Sequence, residues 1–329
     1  MILAGDIGGT KIHLALLRAE DDTAFEFVRE RRFETARFEG LAAVVRAFLE
    51  DGDESAATAC FGVAGPVVGE TIELTNAGWS VDRSRLREAI GVERVDFLND
   101  LEATGYGIDA LPDDQLAVLE PGRPHRETGA LIAAGTGLGM ATLAEFDGRS
   151  QVLPSEGGHA DFAPRDDEEL ALWDFLRARY GHVSAERVVS GPGIRNVYEF
   201  LKETGREEEP SWLADRLAEA EDVPAAISDA AIDEEASICE RALEIFVGCY
   251  GAVAGNLALT TLALRGLWVG GGIAPAILSL MKDRDRFLRA FRDKGRLADL
   301  LADVPVAVVL EERTAVLGAA RYARLVAER

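Results

Sequence analysis

The sequence predicts an α/β fold in two lobes, internally duplicated, with a central cleft. Three observations carry that prediction. At 329 residues the chain exceeds the usual size of a single hydrophobic core. Strand-like and helix-like segments alternate along it. One design, an apolar strand, a glycine cluster and a second apolar strand, occurs twice: in "MILAGDIGGTKIHLALL" from Met1 and again in "GALIAAGTGLGMATLAEFDG" from Gly129.

Each copy reads as a hairpin, because the glycines interrupt two apolar runs of strand composition. After the first, "GLAAVVRAFLEDG" has helical spacing, "TACFGVAGPV" is a strand and turn, and "RVDFLND" is a strand leading into a short helix. The predicted order is therefore β-β-α-β-α-β-α. From "DDEELALWDFLRARYG" to about Leu243 the spacing is mostly helical, with "GREEEPSW" as a charged, solvated loop. "GLWVGGGIAP" and "VPVAVVLEE" return to strands, and "AVLGAARYARLVAE" closes with a helix. The stretch "IFVGCYGAVAGNLALTTLAL" from Ile245 is long enough to cross a membrane. Its Gly248, Gly251, Gly255, Asn256 and threonines, and the strand that follows at once, favour a buried, closely packed helix instead.

Hydrophobic residues at 48% supply ample core, and the net charge of -23 argues against a nucleic-acid surface, which needs clustered cations. An anionic substrate stays compatible, since backbone N–H groups bind phosphate locally. Cys60, Cys239 and Cys249 show no C-x-x-C spacing, so neither a disulfide framework nor a zinc site is expected, and a reducing cytoplasm fits best. Asp6 interrupts the first apolar run and no basic region precedes it, so no secretory signal is expected.

Lysine is scarce, and Lys11 stands inside a glycine motif, "GDIGGTK". There Gly8 and Gly9 let the backbone turn tightly and present N–H groups. Thr10 and Lys11 add a hydroxyl and a cation suited to phosphates, and Asp6 is placed to hold Mg²⁺ through water. "AGTGLG", residues 134 to 139, is a second phosphate cradle; it is neither G-x-G-x-x-G nor a P-loop. "VGGGIAP" reads equally as a flat surface for adenine or ribose and as a close helix–strand crossing. "SEGGHADFAP" gathers Glu156, His159 and Asp161 without any metal-ligand array, which suits the hydroxyls of a polyol ring. Glu186, in "GHVSAERVVSGPG", is either a further hydroxyl ligand or a solvent-facing glutamate. "VDFLND" ends an apolar strand on Asn99 and Asp100: a helix cap, or a general base, Asp100, at a strand's carboxyl end, where open α/β sheets place ligands.

Taken in order, these segments resemble the bacterial glucokinases of the hexokinase/actin-like ATPase superfamily. The likeness runs through "GDIGGTK", "TNAGWSVD", "FLNDLEA", "GTGLG", "EGGHADFAP", "GHVSAERVVSGPG", "GNLAL" and "GGGIAP", nearly the whole chain. It implies an actin-like, ribonuclease H-like fold and phosphorylation of D-glucose at its 6-hydroxyl, with ATP and Mg²⁺. Asp100 is then the catalytic base, and Asn99, Asp100, Glu156, His159 and Glu186 hold the sugar. Gly8, Gly9, Thr10 and Lys11, with Gly135, Thr136, Gly137 and Gly139, correspond to the phosphate loops, and Gly270, Gly271 and Gly272 to the nucleotide side. The related ROK kinases share the E-x-G-H spacing of Glu156 to His159 but carry a cysteine-rich zinc motif missing here, which favours the zinc-free branch. Arg313 and Thr314 depart from the small or amide residues that relatives often carry there.

The resemblance also implies a homodimer, while the acidic charge and the glycine-rich helix leave no nucleic-acid or membrane partner expected. Its small domain is expected at residues 1–108 plus 308–329 and its large domain at 109–307, closing on the sugar so that water is not phosphorylated. Two other readings remain at this level: a kinase for mannose, glucosamine or another hexose, and a sugar-responsive regulator without turnover. No basic helix-turn-helix segment precedes "GDIGGTK", which disfavours the regulator.

Overall fold

The structure, a computed structural model, describes residues 1–65, 67–74, 77–125, 128–146 and 149–327. Thr75 and Asn76 of "TNAGWSVD", and Asp147 and Gly148 at the end of the second hairpin, lie outside the described residues. The chain opens with β1 (Ile2–Ile7), β2 (Lys11–Ala19) and β3 (Phe25–Glu34). It passes through α1 (Leu41–Leu49) and β4 (Thr58–Val63) to a small hairpin of β5 (Thr71–Leu74) and β6 (Trp79–Asp82). Next come α2 (Arg83–Ile90), β7 (Arg94–Asn99) and α3 (Asp100–Gly107).

The second half begins with β8 (Leu116–Glu120), β9 (Gly129–Ala134), β10 (Leu138–Phe146) and β11 (Arg149–Ser155). Helices α4 (Asp167–Tyr180), α5 (Gly191–Glu203), α6 (Ser211–Glu219), α7 (Val223–Ile232) and α8 (Ser237–Thr261) follow, then β12 (Gly266–Gly270). Short helices α9 (Ile273–Ala276), α10 (Leu278–Lys282), α11 (Arg286–Arg292) and α12 (Ala298–Ala302) lead to β13 (Val306–Val309) and α13 (Thr314–Ala327).

Duplication is visible in the strand order. The first sheet runs β3-β2-β1-β4-β7 and the second β11-β10-β9-β12-β13-β8. In each, an antiparallel hairpin, β1 with β2 or β9 with β10, is joined on its inner strand to parallel neighbours, β4 and β7 or β12 and β13. The extra β8 is antiparallel to β13. Inner strands lack polar alternation because helices cover both faces of such sheets: Leu3, Ala4, Phe61, Leu131 and Ile132 are fully buried. β3 carries the charged run "VRERRFE", which has no apolar periodicity to announce a strand, as befits an exposed sheet edge.

The described residues form two compact units: Met1–Gln115 with Phe146–Pro154 and Glu311–Arg329, and Leu116–Glu145 with Ser155–Leu310. In the first, α1 lays Leu41, Val44, Val45 and Phe48 against Ile12, Leu14 and Phe61 of the sheet. On α13, a Cβ at Gly318 would fall 1.7 Å from the carbonyl oxygen of Ala103 in α3. Only glycine permits that approach, which fixes α3 against α13. Arg321, buried, donates to the Tyr106 carbonyl at 3.0 Å, the Asp109 carboxylate at 2.7 Å and the Ser150 hydroxyl at 3.0 Å. Arg313, which departs from the family pattern, is bidentate on Glu311, and the buried Thr314 donates its hydroxyl to the Glu311 carbonyl, so both secure the start of α13.

In the second unit, α8 is long and apolar enough to cross a membrane by length and composition, yet 83% of its most apolar window is buried inside the protein. Its glycines admit α11: Cβ atoms at Gly251 and Gly255 would fall 2.1 and 2.3 Å from the carbonyl oxygens of Phe287 and Phe291. The expected buried, closely packed helix is what the structure shows.

Candidate active site

In the first unit the candidate residues collect where β1, β4 and β7 end. Register pairs Asp6 with Gly62, and Val63 with Asn99, so the carboxyl ends of three parallel strands lie side by side. Asp6 is the penultimate residue of β1, and Gly8 and Gly9 turn the chain back, the Gly8 N–H donating to the Lys11 carbonyl at 3.0 Å. A Cβ at Gly8 would sit 2.8 Å from that oxygen. Thr10 and Lys11 are exposed; Lys11 opens β2 and faces a cavity lined also by Arg31, Arg32, Glu34 and Arg37.

Asn99 and Asp100 stand at the start of α3. Asn99 is the cap of α3: its Oδ1 accepts from Leu101 N at 3.0 Å, and its Nδ2 donates to the Gly65 carbonyl at 3.1 Å, tying β7's end to the loop after β4. Burial pushes the Glu102 carboxyl up, an effect that the Asn99 backbone partly offsets. Asp100, exposed on the first turn of α3, receives the same Leu101 N–H on its Oδ1 at 2.8 Å. It also acts on Asp6. Burial first, and then the charge of Asp100, push the Asp6 carboxyl from the usual 3.8 up to about 6.

The second unit gathers the other group at the ends of β9 and β12, parallel neighbours with Gly270 opposite Ala133. Gly135, Thr136 and Gly137 form the turn, closed by Gly135 N donating to the Gly137 carbonyl at 2.9 Å. Gly139 lies within β10, opposite Ala133, rather than in the turn. Gly271 has φ +81°, and its Cβ would meet the Ala134 carbonyl oxygen at 2.3 Å, so it packs against the end of β9 just before the turn. Gly272 is exposed, with open space where a Cβ would stand. Tyr250, fully buried, accepts from Ala134 N at 3.2 Å and donates to the Gly270 carbonyl at 3.5 Å, joining both strand ends from below.

Beside this turn stand Glu156, His159 and Glu186. His159 Nε2 is 3.8 Å from Glu156 and its Nδ1 3.9 Å from Glu186, too far for direct hydrogen bonds. Glu156 and His159 are exposed, at 86% and 61% of the side chain, whereas Glu186 is only 29% exposed. Glu186 is no solvent-facing helical glutamate: its Oε2 accepts from Leu138 N at 2.9 Å. Asp161 pairs instead with His182 at 2.9 Å. Carboxylates that accept and an imidazole that donates make a set suited to sugar hydroxyls.

Sequence reasoning missed three supports. Gly62 lies between Asp6 and α3, where a Cβ would crowd Ala103 at 3.0 Å and the Asp100 Cα at 3.8 Å. Thr35, buried, holds the first glycine turn by its hydroxyl on the Gly8 carbonyl at 3.0 Å and its N–H on the Thr10 carbonyl at 2.9 Å. Tyr250 is the third. Glycine in the apolar run "TACFGV" was the one readable signal; the other two depend on distant parts of the chain.

A cation fits the first group. Asp6 is a half-buried carboxylate held partly protonated by its surroundings, a condition that an added positive charge relieves. Among the described residues no cluster of three or more His, Cys, Asp or Glu side chains could hold a metal alone. A magnesium ion here would therefore depend on one or two carboxylates, water and phosphate oxygens, its usual set beside a nucleotide.

Comparison with known proteins finds likeness over nearly the whole chain. The family model described as glucokinase matches residues 3–326. A glucokinase from Nostoc punctiforme is 40% identical over 97% of this chain and 98% of its own. One from Cronobacter sakazakii is 36% identical over 98% of this chain and 96% of its own. Among solved structures, a glucokinase from an Antarctic psychrotroph superposes with a TM-score of 0.88 at 33% identity, covering 98% of both chains.

Proposed function

Because the chain belongs to the glucokinase family and has its actin-like ATPase fold, we propose that it transfers the γ-phosphoryl group of ATP to the 6-hydroxyl of D-glucose, with Asp100 as general base. The observation that carries the assignment of the base is the placing of Asp100: an exposed carboxylate on the first turn of α3, at the carboxyl end of a parallel strand, beside Asp6. Its Oδ1 is oriented by Leu101 N at the start of the helix, which fixes the carboxylate where it could accept the hydroxyl proton.

Asn99, Glu156, His159 and Glu186 would hold the other hydroxyls so that a single oxygen faces the phosphate. Position supplies most of the rate in such a transfer, since little covalent chemistry is left for the protein. The turns at Gly8–Thr10 and Gly135–Gly137 would offer backbone N–H groups to the phosphates, with Lys11 adding a cation and Gly270, Gly271, Gly272 and Gly139 the backbone room around them. Mg²⁺, held at Asp6 through water, would neutralise charge on the transferring group. In cells the protein is read as a homodimer and as cytoplasmic, the second in keeping with cysteines that are all buried and unpaired.

A coupled assay of ADP formation over a hexose panel, with and without Mg²⁺, tests the reading. Glucose-dependent ADP release that needs Mg²⁺ is expected. Fastest turnover with mannose or glucosamine would reassign the substrate, and sugar binding without ADP release would make the protein a regulator.

A further inference from the structure

We infer that Glu186 couples the two substrates: one carboxylate both faces the sugar-binding group and anchors the second glycine turn, so glucose and nucleotide tighten each other's binding through it. The inference rests on the function proposed above and adds a route between its two ligands.

Its basis is the division of labour between two oxygens of one side chain. Oε2 accepts from Leu138 N at 2.9 Å, fixing the far end of the Gly135–Gly137 turn. Oε1 points to His159, 3.9 Å from its Nδ1, within the hydroxyl-binding set. The near end of the turn is held by the same short segment, since Gly191 N donates to the Gly135 carbonyl at 2.8 Å. That segment is itself locked, because the Ser190 hydroxyl donates to the Glu186 carbonyl at 2.7 Å and accepts from Gly193 N at 3.0 Å. Residues 186 to 191 therefore grip both ends of the turn, and only the Glu186 side chain also reaches the sugar group.

A sugar hydroxyl donating to Oε1 restricts the Glu186 rotamer and, through Oε2, orders Leu138 N and the turn before nucleotide arrives. Phosphate oxygens on the turn order the same carboxylate in the opposite direction. The ordering cost is met by whichever ligand binds first, which is positive coupling, and linkage makes it equal in both directions. Gly137 exposes the mechanism to test. A Cβ there would lie 2.6 Å from Glu186 Oε2, and the movable atom is the carboxylate, so alanine in the nucleotide turn displaces a sugar ligand.

The test is calorimetric titration of the full-length protein with a non-hydrolysable ATP analogue and Mg²⁺, at zero and at saturating glucose, for the wild type, Gly137→Ala and Glu186→Asp. In the wild type glucose should tighten nucleotide binding about fivefold or more. Glu186→Asp keeps the charge but is one methylene too short to serve both partners. In either variant the factor should fall toward one, and Gly137→Ala should raise the glucose KM as well. Should Gly137→Ala fail to fold, Glu186→Asp carries the test alone. A wild type that turns over glucose yet shows no coupling, or variants that keep the wild-type factor, would overturn the inference and leave the function standing. A wild type that binds no glucose would overturn both.

Discussion

Asp6 shows how a carboxylate of the candidate site is held at a cost to the fold. Burial and the neighbouring Asp100 charge hold its folded pKa at about 6, against the usual 3.8. Between those values the folded state binds the proton that the unfolded state has lost, so this group's contribution to stability falls as pH rises through that window and stays low above it. Asp6→Asn removes the penalty. In the ligand-free protein at pH 8 it should raise unfolding stability by up to roughly 3 kcal/mol, a gain that shrinks as pH is lowered from 6 toward 4. Urea unfolding at several pH values reads this directly. Turnover should respond in the opposite sense: the acid limb of the wild-type rate profile should fall as Asp6 protonates near pH 6, and more Mg²⁺ should move that limb to lower pH. A limb that ignores Mg²⁺ would detach Asp6 from the metal.

At the scale of elements, the glycine turns depend on supports brought from elsewhere in the chain. Thr35→Val keeps the buried shape but leaves the Gly8 carbonyl without its hydroxyl partner, which should cost about 1 kcal/mol. The first turn loosens with it, so the ATP KM should rise while the glucose KM changes little. Gly318→Ala tests the seat of α3, because its Cβ would strike the Ala103 carbonyl, and backbone yields less readily than a side chain. Destabilisation at or beyond the roughly 1–3 kcal/mol of ordinary overpacking is expected, with a lower kcat because Asp100 begins the same helix. These supports also mark the limit of what sequence could tell. "GDIGGTK" and "AGTGLG" were legible as turns between strands because local chemistry decides them. The cap on α3 was legible as a cap, though not which of Asn99 and Asp100 makes it. β3 was hidden because an exposed edge strand needs no apolar alternation, and Thr35 and Tyr250 because contacts across the sheet leave no local pattern. Glu186 was nameable, but its bond to Leu138 N spans a distance along the chain that no motif encodes.

Over the whole molecule, 58 acidic residues against 35 basic ones leave a charge of -23. Surface ion pairs such as Arg37–Glu34 and Arg195–Glu199 engage many of the cations, but exposed pairs contribute only about 0–1 kcal/mol each. Repulsion among the excess acidic groups is therefore expected to dominate, and salt should stabilise rather than weaken the protein. Raising sodium chloride from about 0.1 to 1 M shortens the screening length from about 10 to 3 Å and should raise Tm. A Tm that falls with salt would show that attraction within the ion pairs outweighs that repulsion. The proposed function, in turn, rests on one assignment, Asp100 as the proton acceptor. Single-turnover phosphorylation of glucose by Asp100→Asn, with glucose binding measured on the same sample, tests that most directly. The account predicts a chemical step slower by about two to four orders of magnitude with glucose affinity changed far less; a rate close to that of the wild type would contradict it.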